Sequence, residues 1–182
     1  MDKDELSKAK DIFMRCGGNH FYMEREGAYD NYRSFNISKK QEMLWRVEYR
    51  QLLFDKIKTE DIVSPSFSEL TSSIGQSKDV NGFQLVLDLI NKKRNNIDTF
   101  SQLRMAEETF TIVESFKNDN DAKKNKIIVE AKILALDMLR EIDEKPIIIA
   151  PYYHNIAYLR DALTEDKIKN RVQRLVVRWE TI

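Results

Sequence analysis

Apolar residues recur along most of the chain at spacings of three and four, the signature of helices with one buried face. Leu6, Ala9, Phe13 and Cys16 predict a helix over 4–16, with Asp2 and Asp4 at its favourable N-terminal end and Gly17-Gly18-Asn19 as its stop. Ser38-Lys-Lys-Gln41 reads as a capping box ahead of a second helix. There Met43, Leu44, Val47, Phe54 and Ile57 trace one face, and Trp45, Tyr49 and Leu52 widen it enough to predict neighbours on two sides.

Further boxes are read at Ser66-Phe-Ser-Glu69 and Thr99-Phe-Ser-Gln102. The first precedes a short stripe of Phe67, Leu70 and Ile74 ending at Gly75, with Gln76 to Gly82 as a polar connector. The second precedes Leu103, Ala106, Phe110 and Val113, with Thr109, Ile112 and Phe116 beside them. Between these two, Phe83, Val86, Leu87 and Ile90 form a helix whose end is neutralised by Lys92-Lys93-Arg94 and broken at Asn95-Asn96. After a loop at 118–121, with Asp121 as cap, comes the clearest pattern: Ile127, Ala131, Leu134, Met138 and Ile142, flanked by Ile128, Ala135 and Leu139. Lys145-Pro146 ends it, and 147–151 reads as a short strand or an extended linker. Tyr152, Ile156, Leu159 and Leu163 continue as a helix, and Thr164 caps a last one carrying Ile168, Val172, Leu175, Val176 and Trp179.

The pattern therefore predicts an all-α fold of about eight helices with short loops. It is either an irregular bundle or a short stack of antiparallel helical hairpins, for which a HEAT-like array is one form. The 182 residues fit one domain, 1–182. Only five glycines and three prolines punctuate the chain, too few for an all-β protein.

Residues 17–37 are an aromatic-rich connector. Tyr29, Tyr32 and Phe35 sit at helix-like intervals, and Asp30 and Arg33 are spaced to pair, whereas His20 to Met23 could form one arm of a hairpin turning at Glu26-Gly27. Phe21, Met23, Tyr29, Tyr32 and Phe35 offset their ordering entropy only when buried, so they read as anchors for the core. The reactive alternative is a site of His20, Glu24, Glu26 and Cys16, but Gly17-Gly18 interrupts any helix that would bring the thiol to the imidazole.

Thirty basic and thirty acidic residues cancel, which gives no bulk attraction to nucleic acid or anionic membrane and leaves self-association open. One cysteine and two histidines provide few soft metal ligands, and no cofactor motif is present. No apolar run approaches the roughly 20 residues that span a bilayer. The charged start is unlike a secretory signal, so a reducing cytoplasm is the expected compartment. Glu141-Ile-Asp-Glu144 has the Glu-x-x-Glu spacing of helical magnesium sites, and Glu107 and Glu114 could share a face, but no second pair answers the first. His154 stands alone at a helix start. Arg171, Arg174 and Arg178 line one side of the last helix, where they could read phosphates or simply pair with acids.

These features favour a non-enzymatic helical protein acting through protein–protein interaction: an adaptor, inhibitor or immunity-type factor. Its candidate contact residues are Tyr22, Tyr32, Trp45, Tyr152, Tyr153 and Trp179, most of them equally able to serve the core. The alternative is a metal-dependent helical hydrolase acting on nucleotides or a phosphorylated small molecule.

Overall fold

The computed structural model describes residues 2–59, 65–117 and 121–182, which are all-α: no strand occurs among them. Contacts cluster into two compact units, Met1–Lys56 and Ile57–Ile182.

In the first unit, α1 (Lys3–Arg15) starts at a capping box made by Asp2 and Glu5 and buries Ala9, Ile12 and Phe13. It ends in a Schellman turn. Gly17 N–H donates to Met14 O and Gly18 N–H donates to Phe13 O, with both glycines in the left-handed region. A methyl group on Gly18 would collide with the Phe13 ring, so glycine is required twice over.

The connector is neither a hairpin nor a plain loop. It folds as two single-turn helices, α2 (His20–Arg25), capped by Asn19, and α3 (Tyr29–Ser34). The helix-like spacing of Tyr29 and Tyr32 is the part of the pattern that governs. Met23, Ala28 and Tyr32 join Phe13, Cys16 and Trp45 in the unit's core, while Tyr29 and Phe35 pack partly buried against it. Phe21 does not: it is 64% exposed.

Helix α4 (Lys39–Thr59) is capped by the Ser38 hydroxyl, which accepts from Gln41 N–H. Its buried line differs from the expected one. Trp45, Leu53 and Ile57 are buried, whereas Met43, Leu44, Val47 and Leu52 face solvent. The helix is apolar on nearly every side, so periodicity alone cannot select the packed face. Trp45 wins because it offers the largest area to bury, stacking 5.4 Å from Phe13. Arg46 secures this by donating to Gly18 O and lying over the Phe13 ring.

In the second unit, α5 (Pro65–Ser77) begins with proline at its first position, so Ser66 lies inside the helix, buried, rather than capping it. The helix also runs past Gly75, which allows close approach to Ser115, and stops at Lys78 in the left-handed region. The connector is accordingly short. Asp79 caps α6 (Val80–Lys93), and Gly82 is already helical. A 3-10 turn at Arg94–Asn96 leads to α7 (Thr99–Phe116). Its cap is Asp98, one residue before the expected Thr99, because the aspartate accepts from both Phe100 and Ser101 N–H.

Thr99 has another task. Its N–H donates to Ile148 O and its hydroxyl accepts from Ile148 N–H, both at 2.8 Å. This fastens the 147–150 segment, an extended linker and not a strand, to the start of α7. Between them runs α8 (Ala122–Glu144), capped by Asp121; residues 118–120 of the expected loop lie outside the described residues. The helix expected from Tyr152 to Leu163 is broken into α9 (Pro151–His154) and a 3-10 stretch at Ala157–Ala162. Last comes α10 (Glu165–Glu180). Thr164 holds its N-cap position but makes no side-chain capping bond.

Helix α7 is the centre, packing on α5, α8 and α10. Perpendicular ring pairs mark its seams: Phe83 with Phe116, Phe100 with Tyr153 and Phe110 with Trp179.

Gly18→Ala is expected to lower stability by about 1–3 kcal/mol, through left-handed strain and displacement of Phe13, and urea unfolding would measure it.

Candidate functional site

A cluster of polar and aromatic side chains in the first unit surrounds a hollow of about 200 Å³ at the start of α4. Asn19 and the Ala28 turn set α2 and α3 against one another, which turns His20, Tyr29 and Tyr32 toward Glu42. Tyr32 donates to Glu42 Oε1 at 2.6 Å, and His20 Nε2 lies 3.9 Å from the same oxygen. The His20 ring is 5.2 Å from Tyr29. Arg33, Asn36 and Ile37 close the wall, with Asn36 held in the left-handed region.

Burial, then the hydrogen bond to Glu42 and that group's charge, push the Tyr32 phenol well above its ordinary range, with Arg46 opposing weakly. A raised folded-state value means that this group favours folding fully below the unfolded value of about 10 and loses that contribution as pH climbs higher.

Helix α2 also carries two exposed rings. Phe21 is 64% and Tyr22 40% exposed, and the Arg25 guanidinium lies 5.0 Å from the Tyr22 ring centre.

The reactive alternative for this stretch is divided, with Cys16 and Glu26 together and His20 elsewhere. Cys16 is buried and donates to Glu26 Oε2 at 3.6 Å, while Arg15 Nε donates to that same oxygen at 3.0 Å. Burial first, then Glu26, raises the thiol above its usual range, the reverse of what a nucleophile needs. His20 instead faces Glu42 and the two tyrosines.

Of the six candidate contact residues, Tyr32, Trp45, Tyr153 and Trp179 are buried and supply packing area, while Tyr22 and Tyr152 are exposed. Phe21, which reads from sequence as a core anchor, is instead exposed, since ring spacing alone does not tell an inward ring from an outward one on so short a helix.

The charged groups of the second unit answer one another. Glu107 and Glu114 do share a face, and their partners are Arg171 and Arg178, also seven apart. Arg171 grips Glu107 with a fork of bonds at 2.7–3.0 Å and lies over Phe100. Arg178 donates to Glu114 at 3.2 Å and sits 4.1 Å above Phe110. Arg174 donates to Asn170 O. Glu108 accepts from Ser68, Thr71 and Arg104. Glu141 accepts from Lys145 and lies 3.9 Å from Arg94. Among the described residues no group of three or more His, Cys, Asp or Glu side chains converges as metal ligands would, and no helix is long and apolar enough to cross a membrane.

Comparison with protein-family models, with curated proteins and with solved structures gives no match.

Glu107→Ala strands a partly buried guanidinium and is expected to cost about 1–3 kcal/mol in urea unfolding, more than Glu114→Ala, whose pair is half exposed. Tyr32→Phe is expected to flatten the fall in stability above about pH 10, read from unfolding midpoints between roughly pH 10 and 12.

Proposed function

We propose that the chain is a non-enzymatic helical protein that works by binding another protein, as an adaptor, inhibitor or immunity-type factor would, and that α2 presents the contact. The observation carrying this reading is the exposed pair Phe21 and Tyr22, with Arg25 stacked beside them. Aromatic rings and arginine dominate the energetics of protein interfaces, and large rings left in water gain most from a partner's surface. The same unit also holds a hollow, walled by His20, Tyr29 and Arg33, that offers a recess for one partner side chain.

Supporting the same reading, several of the groups that chemistry would draw on are bonded within the chain. The Cys16 thiol is held protonated, Glu107 and Glu114 are bonded to arginines, and Glu141 is bonded to Lys145.

The test is affinity capture from native lysate with the intact chain as bait. A stoichiometric protein partner is expected, weakened about thirtyfold or more by Phe21→Ala with Tyr22→Ala, and unaffected by Tyr158→Ala on the second unit. Equal loss with both variants, or capture indifferent to the α2 pair, would reject this surface.

A further inference from the structure

The hollow at the start of α4 holds two opposite charges that the fold leaves partly unanswered. Arg33 is on its wall, and among the described residues its guanidinium bonds to no acceptor; Asp30, spaced to pair with it, does not reach it. Glu42 is on the same wall. Its Oε1 accepts from Tyr32 and lies 3.9 Å from His20 Nε2, while Oε2 accepts from no described group. The Tyr29 hydroxyl is likewise without a partner among the described residues.

Each feature of the wall narrows what fits. A carboxylate alone would take the Arg33 fork but bring a second negative charge to Glu42, and an ammonium alone would suit Glu42 but meet Arg33. A molecule carrying both groups answers both. The Tyr29 and His20 rings, with centroids 5.2 Å apart, offer faces that favour a cation, and Ile37 adds an apolar patch. Volume sets the size. At about 200 Å³ the hollow is smaller than the roughly 300–1,000 Å³ taken by drug-sized ligands, which leaves room for one amino acid and not for a nucleotide.

We propose that this hollow binds a free α-amino acid as its zwitterion, with the carboxylate on Arg33, the ammonium between Glu42 Oε2 and the aromatic faces, and the side chain toward Ile37. The occupant is then a small molecule and not a partner side chain, and the partner contact rests on Phe21 and Tyr22 alone. His20 and Arg33 are exposed, so water screens the charges and the affinity is on the order of millimolar.

Proton–nitrogen NMR titration of the full chain with each standard amino acid in turn, to tens of millimolar, tests this. At least one is expected to shift the amide signals of His20, Tyr29 and Arg33 saturably. The amide of that amino acid, which lacks the carboxylate, and its N-acetyl form, which lacks the ammonium, should each bind about tenfold or more weakly. Arg33→Gln should weaken the amino acid by a similar factor and leave its amide unaffected. Glu42→Gln, which keeps an acceptor for Tyr32, should weaken the amino acid and leave the N-acetyl form unaffected. The remaining signals of each variant, unchanged, confirm that it is folded. Phe21→Ala with Tyr22→Ala should leave the titration as it was, so loss of the partner and loss of the ligand are read separately. No saturable shift with any standard amino acid overturns the proposal. So does equal affinity for the amide or the N-acetyl form, or binding indifferent to Arg33→Gln. A hollow that takes acetate or inorganic phosphate as tightly as the best amino acid overturns it too.

Discussion

Helix α7 lies at the centre of its unit with each of its carboxylates answered by a neighbour. A carboxylate removed from water costs several kcal/mol unless donors replace the water it loses. Three acids sit along the margins of this helix. Glu107 receives the fork of Arg171, Glu108 the hydroxyls of Ser68 and Thr71 together with Arg104, and Glu114 the guanidinium of Arg178. Two of the three thereby fix α10, and the other fixes α5. The ring contacts follow from these pairings, since Arg171 and Arg178 cover Phe100 and Phe110 and leave Trp179 to close against Phe110. The acid–base count that cancels to zero overall is, in this unit, partly a set of matched positions.

The first unit obeys a different constraint. Its helices α2 and α3 are too short to persist alone, since the costly first turn is offset by only a few further bonds. They persist because Met23, Ala28 and Tyr32 reach the core built on Phe13 and Trp45. That core in turn exists only because the chain reverses at Gly17-Gly18, where Gly18 passes against the face of Phe13. The same short helices leave Phe21 and Tyr22 outside, since a helix of one and a half turns has too few positions to bury every ring it carries.

The helical class and nearly all helix interiors were legible because their apolar spacing is regular. Val86, Leu87 and Ile90 in α6, and Ala131, Met138 and Ile142 in α8, are buried as their spacing predicts. Boundaries were less legible, for identifiable reasons. Gly75 looks like a stop but serves close packing, while the true stop uses Lys78, a residue that rarely accepts the left-handed region. Thr99 resembles a cap, yet Asp98 is the stronger acceptor and the threonine is taken by Ile148. In α4 the packed side was hidden because apolar residues surround the helix. At the candidate site, the aromatic stretch stood out at once, but its pairing of Tyr32 and His20 with Glu42 depends on a fold between segments that no local period encodes.

The clamp of Thr99 on Ile148, with the Tyr153 hydroxyl 2.9 Å from Ser101 Oγ, has a bearing on the order of events during synthesis. The first turn of α7 is completed by residues 49 and 52 positions later in the chain. A nascent polypeptide that has emerged only through α8 still lacks those fasteners, and it must leave the beginning of its central helix loosely held. Emergence of the segment from Ile148 to Tyr153 is what supplies the partners of that turn.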